Sequence, residues 1–302
     1  MCLAIALVAV ADGTTRPSSA RTAIAPTPAP LAADPFRQGP TDPLPTTTAQ
    51  LAGSPGSWPP NNRLCSQDLE GAIDRILDAP TFASAQWGVL VEAIQEPTLY
   101  YDRNSTGYFI PASNIKLLTT AAALQTLDPY DPKESDSLRS WISRVNRDSH
   151  NAAADALFTQ IGGFATVQAA MGRLGVDPFG FRQVDGSGLS RYNMAKPATF
   201  VGILKAMQVA TGGDIFYESL PVAGWSGTLR HRFQNTSAQG RVRAKTGTLR
   251  GVRALSGYLD HPDYGVVVFS ILINQPNQSG TVMLNAIDQV VLTLMDVSRC
   301  DR

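Results

Sequence analysis

The sequence has no excess of charge of either sign. Its 25 Lys and Arg residues balance 25 Asp and Glu, for a formal net charge of zero. A domain built around nucleic acid is usually strongly basic, so this balance gives no support to nucleic acid as a partner. Cysteine is scarce, with only Cys2, Cys65 and Cys300. None of them belongs to a Cys-His cluster of metal-ligand spacing, and neither a metal nor a cofactor is expected. Near the start, the apolar run Leu3 to Val10 is too short to cross a bilayer as a helix, and no basic residue precedes it. Residues 1–13 therefore read as a signal-like segment, and the chain is expected to be exported.

Composition then divides the chain. Residues 14–61 contain TIAPTPAPLAADP, GPTDPLPTTTAQ and GSPGSWPP. Proline removes backbone donors, and Gly, Ser and Thr offer little to bury, so this stretch reads as a disordered linker. It would act as a spacer from a membrane or wall surface, with Trp58 close enough to the folded domain to pack on it. Residues 62–302 carry the periodic patterns of one folded domain. Helical spacing runs over Asp68–Leu77. Strand character appears at Gln86–Ala93, with Glu96–Tyr101 as the second arm of a hairpin. A helix is expected from near Ser113 through KLLTTAAALQTL, and others over 135–145, 152–161, 166–174 and 198–209. The period returns to strands at 241–246, 253–259 and 265–273, before a closing helix over 282–294. This order predicts an antiparallel sheet flanked by helices, with a helical lobe beside it, an α/β (α+β) fold.

Three short strings carry chemistry. In Ser113-Asn114-Ile115-Lys116 the serine and lysine share one helix face. A serine hydroxyl needs a neighbouring base, and a lysine can serve if burial lowers its pKa. The same string also describes an N-cap serine and a solvated lysine. In Ser149-His150-Asn151 a hydroxyl could relay a proton and an amide could bind a peptide carbonyl, although a capping serine in a turn reads equally well. Lys245-Thr246-Gly247-Thr248 offers a charge and two hydroxyls for a carboxylate, beside a glycine that allows close backbone approach.

The order S-x-x-K, S-x-N, K-T-G resembles the active-site serine penicillin-binding and β-lactamase superfamily. The longer strings PASNIKLLTTAAAL, DGSGLSRYN and KTGTLRGVRALSGYL are more closely similar to the D-alanyl-D-alanine carboxypeptidase/endopeptidase family of low-molecular-mass penicillin-binding proteins (S13-like). The resemblance covers roughly residue 62 to the C-terminus. It implies a penicillin-binding transpeptidase-like fold, peptidoglycan stem peptides as substrates and β-lactams as acylating ligands. By the same resemblance Ser113 is the nucleophile, Lys116 its base, Ser149 with Lys245 a proton shuttle, and Asn151 a peptide-orienting group. Lys245, Thr246 and Thr248 around Gly247 would hold a carboxylate, and the backbone N–H groups of Ser113 and Thr248 would form the oxyanion hole.

Two departures bear on that implication. Family members usually carry large inserted domains between the first two motifs, whereas LDPYDPKESDSLRSW crosses the gap directly, giving a short form. The second motif has His150 where Asp is common. A β-lactamase or small-ester hydrolase with the same machinery, and a non-catalytic wall-binding homologue, remain as alternatives. Asp155 is expected to brace Asn151, Asp185 and Ser187 to shape a turn, and His231 and His261 to be surface or turn residues. Most of Arg230, Arg232, Arg241, Arg243, Arg250 and Arg253 are expected to face solvent. Cys65 and Cys300 stand at opposite ends of the folded region. Spacing alone leaves a disulfide and two free thiols both open, and export favours the disulfide.

Overall fold

The computed structural model describes residues 64–300 apart from 97 and 134. The signal-like segment and the linker, Trp58 included, lie outside the described residues. Two short strands, β1 (Leu64–Cys65) and, at the far end, the last strand (Val297–Ser298), pair in parallel and bring the ends of the domain together. The elements between them are α1 (Leu69–Leu77), β2 (Gln86–Ala93), β3 (Tyr100–Arg103), α2 (Lys116–Leu124), α3 (Ser135–Asn146), α4 (Asn151–Gln160) and α5 (Gly163–Arg173). After these come β4 (Phe181–Arg182), β5 (Met194–Ala195), α6 (Pro197–Met207), α7 (Gly213–Glu218), β6 (Val242–Leu249), β7 (Val252–His261), β8 (Gly265–Asn274) and α8 (Gly280–Asp296).

The main sheet has five strands in the order β3-β2-β8-β7-β6, each antiparallel to its neighbours. Its centre, β8, reads VVVFSILI and is buried on both faces. Side chains alternate across a strand. Phe269, Ile271 and Ile273 join one core with Ile73 and Leu77 of α1 and with Val290 and Leu294 of α8. Val268 and Leu272 join the other core with α2 and α6. Helix α2 is buried at all nine positions. A helix buried all round belongs inside a lobe rather than on its surface, and α3 to α7 surround it.

The expected fold is the observed one, with local shifts. The second hairpin arm lies at Tyr100–Arg103, not Glu96–Tyr101, because Leu99 N donates to Glu96 O and closes a turn there. Ser113 sits on a 3-10 turn, Ala112–Ile115, that precedes α2. Strand β6 runs on to Leu249 and so includes Thr248. Helix α7 had no expectation attached to it. Between Lys116 and Ser149 the described chain holds only α2, α3 and their connection. Cys65 and Cys300 are joined by a disulfide, their Cα atoms 5.5 Å apart.

Candidate active site

The position of Ser113 is fixed by contacts from the sheet. Asn274, at the end of β8, accepts from Ile110 N at 2.8 Å and donates to Ile110 O at 3.1 Å. Asn114 donates to Ser256 Oγ (2.7 Å), which donates to Ser270 Oγ (2.8 Å), a buried polar chain that ties the Ser113 turn to β7 and β8. Ala112, just before Ser113, has φ of 49°, a left-handed conformation that L-residues seldom adopt. Such strain persists only where the surroundings hold it. Two glycines let those surroundings close in. A Cβ on Gly188 would fall 2.1 Å from Ala112 O, and one on Gly247 would fall 2.6 Å from Pro111 O.

Lys116 is wholly buried at the root of the site. Its Nζ lies 2.9 Å from Ser113 Oγ and 2.9 Å from Asn151 Oδ1, and it donates a short bond to Ser187 O. The Ser187 segment is itself held by two carboxylates. Asp155 Oδ1 accepts from Ser187 N (2.8 Å), while Asp185 accepts from Gly188 N (2.6 Å), Ser190 N (2.7 Å) and Asn193 Nδ2 (2.9 Å). Burial pulls the Lys116 pKa down to about 8, against the opposing pull of the Asp155 and Asp185 charges. Roughly a tenth of such a group is unprotonated at pH 7.

Ser149 stands before α4 with φ of 55°. It does not cap that helix; His150 does, its Nδ1 accepting from Ala153 N at 3.1 Å. The strained turn leaves the Ser149 hydroxyl 2.8 Å from Lys245 Nζ, and Lys245 also donates to Thr246 O at 3.1 Å. Lys245 is wholly buried, and burial, then the nearby Lys116 charge, hold its pKa well below the ordinary lysine value.

β6 is the edge strand beside these groups. On its outer edge Ala244 N donates to Pro221 O. Backbone donors on an antiparallel strand alternate in direction, so the N–H groups of Thr246 and Thr248 point to that same outer edge. Thr246 Oγ1 donates to Thr228 Oγ1 at 2.8 Å.

All three motifs therefore meet in one place. Ser113, Lys116 and the Asn151 amide form one hydrogen-bonded group, and Ser149 with Lys245 forms a second, near enough for the Lys116 charge to act on Lys245. Several expectations need correction. Asp155 braces Ser187 rather than Asn151. His261 is a turn residue and not a surface one: it is buried, its Nδ1 accepting from Asp263 N and Tyr264 N. Arg232 pairs with Asp288, and the Arg243 guanidinium lies 4.9 Å from the centre of the Tyr217 ring, so neither simply faces solvent. Sequence reading passed over Thr228 and the Ser187 carbonyl; the DGSGLSRYN string was the only signal for the latter. Among the described residues no group of three or more His, Cys, Asp or Glu is placed to hold a metal ion.

Known proteins are similar to this chain at two levels, sequence and fold. The chain is 39% identical over 164 residues to a D-alanyl-D-alanine carboxypeptidase from Actinomadura sp., a match covering 49% of this chain and 30% of that protein. It is 34% identical over 152 residues to a penicillin-sensitive carboxypeptidase A from Dictyostelium discoideum, covering 48% of this chain and 28% of the relative. The chain thus spans about a third of the length of the curated relatives it matches. In fold it is similar to the crystal structure of the TLA-1 extended-spectrum β-lactamase, with a TM-score of 0.61, 16% identity, and coverage of 76% of this chain and 99% of that one. The model of the D-Ala-D-Ala carboxypeptidase 3 (S13) family matches residues 69–131 and 132–297, most of the domain. The chain belongs to that family.

Proposed function

We propose that the protein is a serine-type D-Ala-D-Ala carboxypeptidase that removes the terminal D-alanine of peptidoglycan stem peptides and is acylated at the same serine by β-lactams. The observation that carries this reading is the 2.9 Å contact between Ser113 Oγ and the buried Lys116 Nζ. In its unprotonated fraction Lys116 takes the hydroxyl proton as Ser113 Oγ attacks the carbonyl of the penultimate D-alanine. The oxyanion forms between the N–H groups of Ser113 and Thr248, which are donors set in place before charge develops. As the C–N bond breaks, the leaving amine takes the Ser149 proton, and Lys245, 2.8 Å away, restores it. Lys245, Thr246 and Thr248 hold the terminal carboxylate, and the Asn151 side chain orients the peptide. Water then hydrolyses the acyl-enzyme and regenerates Ser113.

The catalytic unit in this reading is residues 62–302, with 14–61 as a spacer and 1–13 as an export signal. A disulfide between Cys65 and Cys300 fits an oxidising compartment outside the cytoplasm, periplasmic or at the wall. No helix among the described residues is long and apolar enough to cross a membrane. Incubation of the purified protein with a tripeptide ending in D-Ala-D-Ala should release free D-alanine, and Ser113→Ala should release none. Hydrolysis of β-lactams without release of D-alanine would instead favour a β-lactamase.

A further inference from the structure

Of the tryptophans among the described residues, only one is exposed. Trp87 is buried, and the half-buried Trp141 donates its indole N–H to Ala153 O at 2.9 Å. Trp225 is 64% exposed, and no group among the described residues accepts from its Nε1. The fold holds it in that place. Residues 221–223 run along the outer edge of β6, with Ala244 N donating to Pro221 O and Ala223 N to Val242 O. Gly224 N donates to Leu229 O and closes a loop that carries Trp225. The six-membered ring of the indole rests on Gly240, where a Cβ would fall 2.5 Å from Cη2. Gly240 N is tied in turn to Ala223 O, so the seat and the loop form one unit. The same loop reaches the candidate site, because Thr228 Oγ1 accepts from Thr246 Oγ1 at 2.8 Å. Three residues span at most about 11 Å, which puts Trp225 close beside the cleft.

The surroundings of the ring are polar, and they offer donors. Its apolar neighbours in sequence, Val222, Ala223 and Leu229, are buried. Gln239 packs against Gly224, where a Cβ would fall 3.2 Å from its Nε2. Its Oε1 accepts from Asn235 N at 2.7 Å, while its Nε2 donates to no group among the described residues. Arg241, next to Gly240, is exposed and has no carboxylate partner among them. A lone ring set among polar groups lacks the contiguous apolar area that marks a protein or membrane contact. It suits a ligand with a C–H face for the ring, whose π face is negative, and oxygen acceptors at its edge for the unpaired N–H groups. A pyranose ring bearing an N-acetyl group has both.

We propose that Trp225, with Gln239 Nε2 beside it, is a glycan-binding platform at the rim of the candidate site, and that its ligand is an N-acetylated amino sugar of the wall polymer. The choice of that polymer rests on the function proposed above. The sugar stacks on the open part of the indole, and its carbonyl and hydroxyl oxygens accept from the Trp225 and Gln239 N–H groups. A peptide borne by the same polymer is thereby kept near the cleft. The platform takes no part in the Ser113 chemistry.

The test titrates a peptide-free tetramer of N-acetylglucosamine into the full chain, with calorimetry as the readout. The wild-type protein should bind it saturably. Trp225→Ala should weaken binding roughly 10-fold, the range for one aromatic stacking contact, and Trp225→Phe should recover part of the loss. Both are exposed positions where substitution seldom disturbs folding. Cosedimentation with wall glycan stripped of its stem peptides should rank the three proteins in the same order, while penicillin acylates all three at one rate. Equal affinity in wild type and Trp225→Ala, or no saturable binding of either glycan by the folded wild-type protein, overturns the inference. Trp225-dependent binding to phospholipid vesicles without glycan binding overturns it too, in favour of a membrane contact. Failure of penicillin to acylate the wild-type protein overturns the proposed function alone, since the sugar affinities are read without it.

Discussion

Two lysines in this domain are buried to the same degree and surrounded in opposite ways. Lys116 is met by a hydroxyl, an amide oxygen and a backbone carbonyl, with the Asp155 and Asp185 charges nearby. Lys245 is met by the Ser149 hydroxyl and the Thr246 carbonyl, with another lysine as its charged neighbour. Burial disfavours the ammonium form at both. At Lys116 the carboxylates offset that pressure and leave its pKa at about 8, where it can exchange a proton at working pH. At Lys245 the neighbouring Lys116 charge adds to it. In the proposed mechanism the same side chain acts as a base in one setting and as a proton donor in the other.

Removing each lysine should separate the two roles. Lys116→Ala keeps the Ser113 hydroxyl and removes its base, so acylation should slow by roughly 10²–10⁴-fold, whether or not the acyl donor carries a carboxylate. Lys245→Ala should slow release of D-alanine by roughly 10²-fold, with a smaller loss on an ester whose leaving group is uncharged. Stopped-flow or quenched-flow rates on the two donors measure both, and equal losses on both donors for Lys245→Ala would erase the distinction.

The contrast can be sharpened through pH. Lys116 has its pKa lowered in the folded protein, so it is protonated and idle as a base below about 8 and free to accept a proton above it. The acylation rate should rise with pH through a midpoint near 8. Asp155→Asn removes a charge that favours the ammonium while keeping an oxygen to accept from Ser187 N. The midpoint should move to lower pH and the high-pH plateau should stay, giving at most a several-fold gain at neutral pH. A midpoint moved upward would show that Asp155 acts through structure and not charge. Far from both lysines, Cys300→Ser should lower stability to denaturant by about 2–5 kcal/mol with little effect on the acylation rate.

How the lysines differ could not be read from the sequence, although the lysines themselves could. Ser113, Lys116, Ser149, Asn151 and Lys245 stand in strings whose order and spacing carry meaning, and the apolar periods of α1, α6, β7 and β8 reported the sheet and the lobe. What sets the pKa of Lys116 is its burial, opposed by two carboxylates, one on α4 and one on the loop before β5, brought together only by packing of the lobe. Backbone carbonyls leave no mark in sequence, which hid Ser187 O. Asp155 was visible, but its partner was not, since Ser187 lies in a different segment. Ser149 reads as a helix cap in sequence; its left-handed backbone and the capping by His150 are properties of the folded turn. His261 was legible as a surface or turn residue of HPDYG; that the turn buries its ring and makes it an acceptor for two backbone N–H groups was not.

The central claim, that Ser113 is the nucleophile activated by Lys116, is tested most directly by intact-protein mass spectrometry of penicillin-treated protein over time. The account predicts a single penicilloyl adduct that maps to the peptide containing Ser113. The adduct should be absent from Ser113→Ala of unchanged fold and should form far more slowly in Lys116→Ala. An adduct forming at the wild-type rate on Ser113→Ala would contradict the assignment of the nucleophile. A wild-type rate on Lys116→Ala would contradict the base and shift attention to Ser149 with Lys245.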